Sequence, residues 1–354
     1  MRPVFSHILR LLGILLSLPL LALIVFAFRL PITSSGVLYL LAGSLLVLGL
    51  IAVPVSRKQS LFLIFAGVLG FLLIIAARSI LMGQNQSSEI RMVTLPDGNS
   101  PRWLGSIMDE QDALIFGEEL FHLIGGDSTR EHEGLVPAFE AAYSEIRTQG
   151  VFPSPIVSTY LNLQQPDGFD AVVIQPQEQP TFGVIFLHGF MGNVTAQCWE
   201  IAQAVKDIGG VTICPSTEWT GQWSKPRGHE ILKRTFEYLR KQGITRFYLG
   251  GFSNGGFSIG RLTSELSAES GLVGLFFIDG FTNGTSVRGL GLPVLMIEGA
   301  QDERVPPAMA RQFAAEVGDL GTYVEIDSDH FLIMKKPEEI QNIIRRWLNE
   351  QILD

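Results

Sequence analysis

The chain has 354 residues, enough for one large domain or two smaller ones, with 47% hydrophobic side chains and a formal charge of −9. The charge is unevenly spread: residues 1–82 hold six basic and no acidic side chains, which leaves 20 basic residues against 35 acids, a formal charge of −15, in residues 83–354. So acidic a body excludes nucleic acid as the expected partner, because phosphate binding needs a basic face.

Three apolar runs open the chain, at residues 11–28, 36–55 and 61–77. Each is close to the roughly 20 residues a helix needs to cross about 30 Å of hydrocarbon. The first is longer than the apolar core of a signal peptide and has no small-x-small cleavage site before Arg29, so it reads as an uncleaved span. Arg2, Arg10, Arg57 and Lys58 flank one side and Arg29 and Arg78 the other. The more basic side is cytoplasmic, so the expectation is an integral protein of the cell membrane with residues 83–354 on the non-cytoplasmic side. The spans contain no acid and no internal histidine to line a transport path, and they read as an anchor. Cys198 and Cys214 are the two cysteines, open to either a disulfide or two buried thiols.

Residues 83–154 are expected to be a linker or cap-like segment between this anchor (1–82) and a catalytic domain (155–354). Residues 84–88 are polar and 95–101 have loop chemistry. Helices are expected at 111–124 and 135–149, broken at Gly125, Gly126 and Asp127. Spacer, cap and membrane-facing surface all remain open for this stretch.

Beyond it, short apolar runs at 156–163, 171–174, 183–187, 211–214, 247–249, 272–278, 294–297 and 323–326 read as strands. Helices are expected at 194–208, 227–242, 255–269, 306–317 and 337–352, the last with Ile340, Ile343, Ile344, Trp347 and Leu348 on one stripe. This alternation predicts an α/β fold, a mostly parallel sheet of about eight strands with helices on both faces. The first two runs, with no helix between them, should form an antiparallel edge.

Gly251-Phe252-Ser253-Asn254-Gly255 fits G-x-S-x-G between an expected strand and helix, the context in which a serine hydroxyl stands exposed on a strained turn. His188-Gly189-Phe190-Met191-Gly192 follows the strand at 183–187, where backbone N–H groups can receive an oxyanion. The N–H groups of Phe190 and Asn254 are the expected pair, with Met191 the alternative to Phe190, and His188 is read as structural. Asp302, on the loop after the strand at 294–297, is the expected acid; Asp279, ending the preceding strand, is its rival. His330, between the last strand and the last helix, is the expected general base.

Ser253, Asp302 and His330, in that order, with the oxyanion loop, make residues 155–352 resemble the α/β-hydrolase family. The resemblance implies an eight-stranded sheet with the triad on loops at the C-terminal ends of its strands, and ester hydrolysis through an acyl-serine intermediate; no cofactor is expected, nor a metal, since no Cys or His cluster has ligand spacing and His122 with His132 is too loose to count. The same constellation serves thioesterases, peptidases and acyltransferases, and a silent binding domain is the reading from another class. Residues 280–293 leave no room for the large cap many members carry. Access then falls to the segment before the core or to the loop at 216–226, whose Trp219 and Trp223 are candidate substrate contacts. The anchor and these aromatics suggest a small-molecule ester, hydrophobic or lipid-like in its acyl group. Oligomeric state is not legible.

Overall fold

A computed structural model describes residues 3–84, 89–126 and 128–353. The polar stretch at 84–88 therefore lies, after Gln84, outside the described residues, as does Asp127. The chain forms two compact units, one of Met1–Gln84 with Ser106–Gly126, the other of Asn85–Gly105 with Asp127–Asp354.

Among the described residues the first unit contains four α-helices: α1 (Pro3–Ala27), α2 (Ser34–Ala52), α3 (Arg57–Gln84) and α4 (Glu110–Leu123). The first three are long and apolar enough to cross a membrane, over Val4–Ala27, Ser34–Ala52 and Arg57–Met82. Thr33 caps α2, its hydroxyl accepting from the N–H of Gly36. The helix expected at 111–124 is α4, and polar contacts hold its N-terminal end to the first three helices. Buried Arg78, in the last turns of α3, donates to the carbonyls of Ser106 (2.9 Å) and Met108 (3.1 Å) and to the carboxylate of Asp109 (3.0 Å), the N-cap of α4. Asp112 accepts from the N–H (2.7 Å) and hydroxyl (2.6 Å) of Thr33, and Gln111 donates to the carbonyl of Pro31 (3.0 Å). A buried guanidinium is tolerated only when so fully paired.

The second unit is built on eight strands: β1 (Ile90–Leu95), β2 (Phe169–Ile174), β3 (Phe182–Leu187), β4 (Gly210–Pro215), β5 (Phe247–Phe252), β6 (Leu272–Ile278), β7 (Val294–Gly299) and β8 (Gly321–Ile326). They form one sheet in the order β1-β2-β4-β3-β5-β6-β7-β8. The β1–β2 and β2–β4 pairs are antiparallel and all others parallel. Every residue of β2, β3, β4, β5 and β7 is buried, which is why their sequences are mostly apolar on both faces rather than alternating, with Asp170, Thr212 and Glu298 as buried polar exceptions.

The antiparallel edge is real, but one member differs from expectation. Residues 156–163 are not a strand; Ile156–Tyr160 is a short helix started by Pro155, whose fixed φ suits a helix N-terminus. The edge strand is β1, drawn from the segment expected to be linker or cap, with Ile90 and Met92 buried and Arg91 exposed between them. The helix expected at 255–269 is two pieces, Asn254–Arg261 and Thr263–Leu266, meeting at Leu262. The last helix, Pro337–Leu353, buries Ile340, Ile344, Trp347 and Leu348, with the Trp347 ring edge-on to Tyr248 of β5 at 5.7 Å. Cys198 on the helix Thr195–Lys206 is bonded to Cys214 on β4.

Candidate active site

Ser253 stands between the end of β5 and the helix that begins at Asn254, with φ 50° and ψ −117°. A positive φ costs a non-glycine residue free energy and persists only where surrounding contacts over-determine it. Here the N–H of Ser253 donates to the carbonyl of Ile278 on β6 (2.9 Å), and its carbonyl accepts from Phe257 (3.0 Å). Neighbouring backbone closes in on both sides. A Cβ on Gly255 would run into the carbonyl oxygen of Leu187, and one on Gly280 into that of Ser253.

The turn aims the Ser253 hydroxyl at Nε2 of His330, 3.1 Å away, on the loop after β8. Nδ1 of His330 lies 2.7 Å from Oδ2 of Asp302, on the loop after β7. The other oxygen of Asp302 accepts from the N–H groups of Arg304 (2.7 Å) and Val305 (2.8 Å). With Asp302 an acceptor at both oxygens, Nδ1 of His330 is the donor in their bond, and Nε2 faces the serine as an acceptor. Asp302 and His330 are buried and Ser253 half-buried.

Asp279, the rival acid, is fully buried at the end of β6, its Oδ1 accepting from the N–H of Gly299 (2.9 Å). Beside it on β7 is Glu298, also fully buried. Burial foremost, then the charges of Glu298 and Asp302, raises the Asp279 carboxyl well above its usual range. Burial likewise pushes Glu298 up to about 8, against the bond to Asp279 and with the charge of Asp302. Donor atoms of Asp279, Asp302 and His330 all fall within 4.8 Å of one another. The 2.7 Å contact between Nδ1 and Oδ2 is nonetheless a direct hydrogen bond, shorter than the ~3 Å that two ligands bound at about 2 Å keep across a metal ion.

The loop after β3 is held from within. His188 is buried, and burial pushes its imidazole down to about 4, so it is neutral. Its Nδ1 donates to the carbonyl of Gly189 (2.8 Å) and its Nε2 accepts from the N–H of Thr217 (3.2 Å). Among the described residues no acceptor takes the N–H of Phe190, Met191 or Asn254. Asn254 ties the elbow to the loop at 216–226 through a bond from Nδ2 to the carbonyl of Thr220 (2.8 Å).

The two tryptophans of that loop separate. Trp223 is fully buried, its indole N–H donating to the carbonyl of His188 (3.0 Å) in the loop after β3. Trp219 is 40% exposed, edge-on to the 41% exposed Phe190 at 5.0 Å and stacked on Tyr160 at 6.2 Å. Tyr160 was hidden from sequence reasoning by the strand assigned to 156–163; it completes a three-ring shelf, its hydroxyl donating to the carbonyl of Met191 (3.3 Å).

A second missed group braces the acid and histidine loops. Glu131, buried in the short helix Thr129–His132, pairs with Arg304 at 2.6 Å. Lys335 donates to the carbonyl of Glu131 (2.7 Å) and to the carboxylate of Asp329 (2.7 Å), next to His330. No local motif marks such long-range partners in a sequence.

Strand order and elbow together define the α/β-hydrolase fold. No protein-family model and no curated protein matches the sequence. Among solved structures the chain is similar to Est1E from Butyrivibrio proteoclasticus, at 17% identity and a TM-score of 0.46 over 53% of this chain and 96% of that one. It is also similar to an α/β serine hydrolase homologue from Coxiella burnetii (18%, TM-score 0.43, 51% and 92%). A thermophilic esterase from Thermogutta terrifontis gives 15%, a TM-score of 0.42, and coverage of 52% and 95%.

Proposed function

We propose that the protein is a membrane-anchored serine hydrolase that cleaves a carboxylic ester through an acyl-Ser253 intermediate. The observation that carries this reading is the continuous chain from Ser253 Oγ to His330 Nε2 to Asp302, at 3.1 and 2.7 Å, on a strained strand-to-helix turn. In this reading Ser253 attacks the carbonyl carbon while Nε2 of His330 takes its proton. The N–H groups of Phe190 and Asn254, with Met191 the alternative to Phe190, receive the oxyanion. His330 returns the proton to the departing alcohol, water enters, and the acid leaves. Asp302 holds the imidazole in one tautomer and stabilises its charged form.

The shelf of Trp219, Phe190 and Tyr160 favours a hydrophobic or lipid-like acyl group. The Cys198–Cys214 bond, typical of oxidising compartments, and the excess of basic residues on the other side of the spans support a catalytic unit outside the cytoplasm, at the cell membrane.

The test is fluorophosphonate labelling of the detergent-solubilised chain, followed by acyl esters of increasing length. Wild type should label and turn over; Ser253→Ala should not label and should lose roughly 10⁴-fold or more in turnover. A folded wild type that neither labels nor hydrolyses any ester would overturn the reading in favour of a silent binding domain.

A further inference from the structure

The C-terminal half of α4, with its C-cap residue Ile124, presents an apolar stripe that packing leaves uncovered. Leu120, Leu123 and Ile124 are 54%, 70% and 72% exposed, and half-buried Phe116 continues the row one turn earlier. The spacing, i, i+4, i+7 and i+8, sets the four on one side of the helix. The other end of α4 is pinned to Pro31 and Thr33, in the turn between α1 and α2, and to Arg78, near the end of α3. These are the ends of the spans on one side of the bilayer. With 28 residues α3 is about 42 Å long, more than the ~30 Å hydrocarbon core, so its last turns pass into the interface.

We propose that α4 is a fourth membrane element, an interfacial helix that lies at the lipid–water boundary with Phe116, Leu120, Leu123 and Ile124 in the acyl region. The partner is the bilayer itself. The stripe belongs to the same unit as the lipid-exposed spans and is held at the level of their ends, where an apolar helix face enters the headgroup–acyl boundary. The inference does not depend on catalysis.

Both native cysteines are bonded to each other, so Leu120→Cys and Leu123→Cys can each carry a single nitroxide under non-reducing conditions. The labelled full chain is placed in phosphatidylcholine nanodiscs, and collision with oxygen is compared with collision with a water-soluble nickel chelate. Asp319→Cys, at a side chain 81% exposed on the sheet unit, is the aqueous reference. Both stripe positions should show an oxygen-to-nickel ratio severalfold above that at position 319. A ratio equal to the reference would mean that the stripe faces water and would overturn the proposal. Spin–spin broadening that disappears on dilution with unlabelled chain would overturn it too, by showing a second copy on the stripe. Because the replaced side chains are exposed, neither variant disturbs the packing that holds α4.

Discussion

Around His330 the molecule sets two carboxyl groups within reach and makes them unlike. Asp302 accepts from two backbone N–H groups and faces the imidazole; Asp279 shares its burial with Glu298 and is driven toward the neutral form. Asp302→Asn should therefore release the imidazole tautomer and lower kcat/KM by about 10⁴-fold. Asp279→Asn keeps an acceptor for the N–H of Gly299 and should cost less than about tenfold. Steady-state hydrolysis of one ester by both variants tests this, and equal losses would make Asp279 the working acid. Glu298 carries a consequence for stability. Its carboxyl titrates near 8 in the folded chain against a usual 4.5, so between those values the folded state holds a proton that the unfolded chain has released. Stability contributed by this group is complete below the lower value and is lost as pH rises through the upper one. Melting temperatures between about pH 5 and about pH 9 should fall more steeply in wild type than in Glu298→Gln, and parallel curves would contradict that.

Among the elements, those with chemistry in adjacent residues were the most legible in the sequence. The turn at Ser253 was readable because a strand, a glycine-flanked serine and a helix follow one another, and the approach of Ser253, Asp302 and His330 because each sits just past a strand. Backbone crowding at the elbow explains the glycines. Gly255→Ala should shift Ser253 away from His330, lowering activity at least tenfold and stability by about 1–3 kcal/mol, measured by hydrolysis and urea unfolding. Wild-type values would show that the turn can give. The illegible parts depended on distant partners. A six-residue strand such as β1 carries too little alternation to be distinguished from loop, and it becomes a strand by pairing with β2, some eighty positions on. Residues 156–163 show the converse, since a short apolar run does not separate strand from buried helix, and Pro155 decides the matter locally. The burial of Trp223 and the exposure of Tyr160 were illegible for the same reason: exposure is set by tertiary packing, which composition does not encode.

At the scale of the whole molecule, the disulfide links the largely buried helix Thr195–Lys206 to β4 across a separation of 16 residues, a loop whose closure is worth about 3 kcal/mol. The double variant Cys198→Ser, Cys214→Ser should lose about that much in chemical denaturation, and reductant should weaken wild type similarly; a loss under about 0.5 kcal/mol would count against the bond as a stabilising link. The two compact units interleave along the chain, since it passes between them after residues 84, 105 and 126. That interleaving governs where the polypeptide can be cut. Removing residues 1–82 to obtain a free enzyme would strip α4 of the spans that anchor it and expose its apolar stripe. A cut at 154 would be worse: it takes away β1, leaving β2 as a bare apolar edge that invites pairing with other chains. It would also remove Glu131 and the brace it gives to Arg304 and Lys335. Hydrolase and anchor are thus written into one another, and a soluble fragment has to be rejoined across the gap left by residues 106–126 rather than simply truncated.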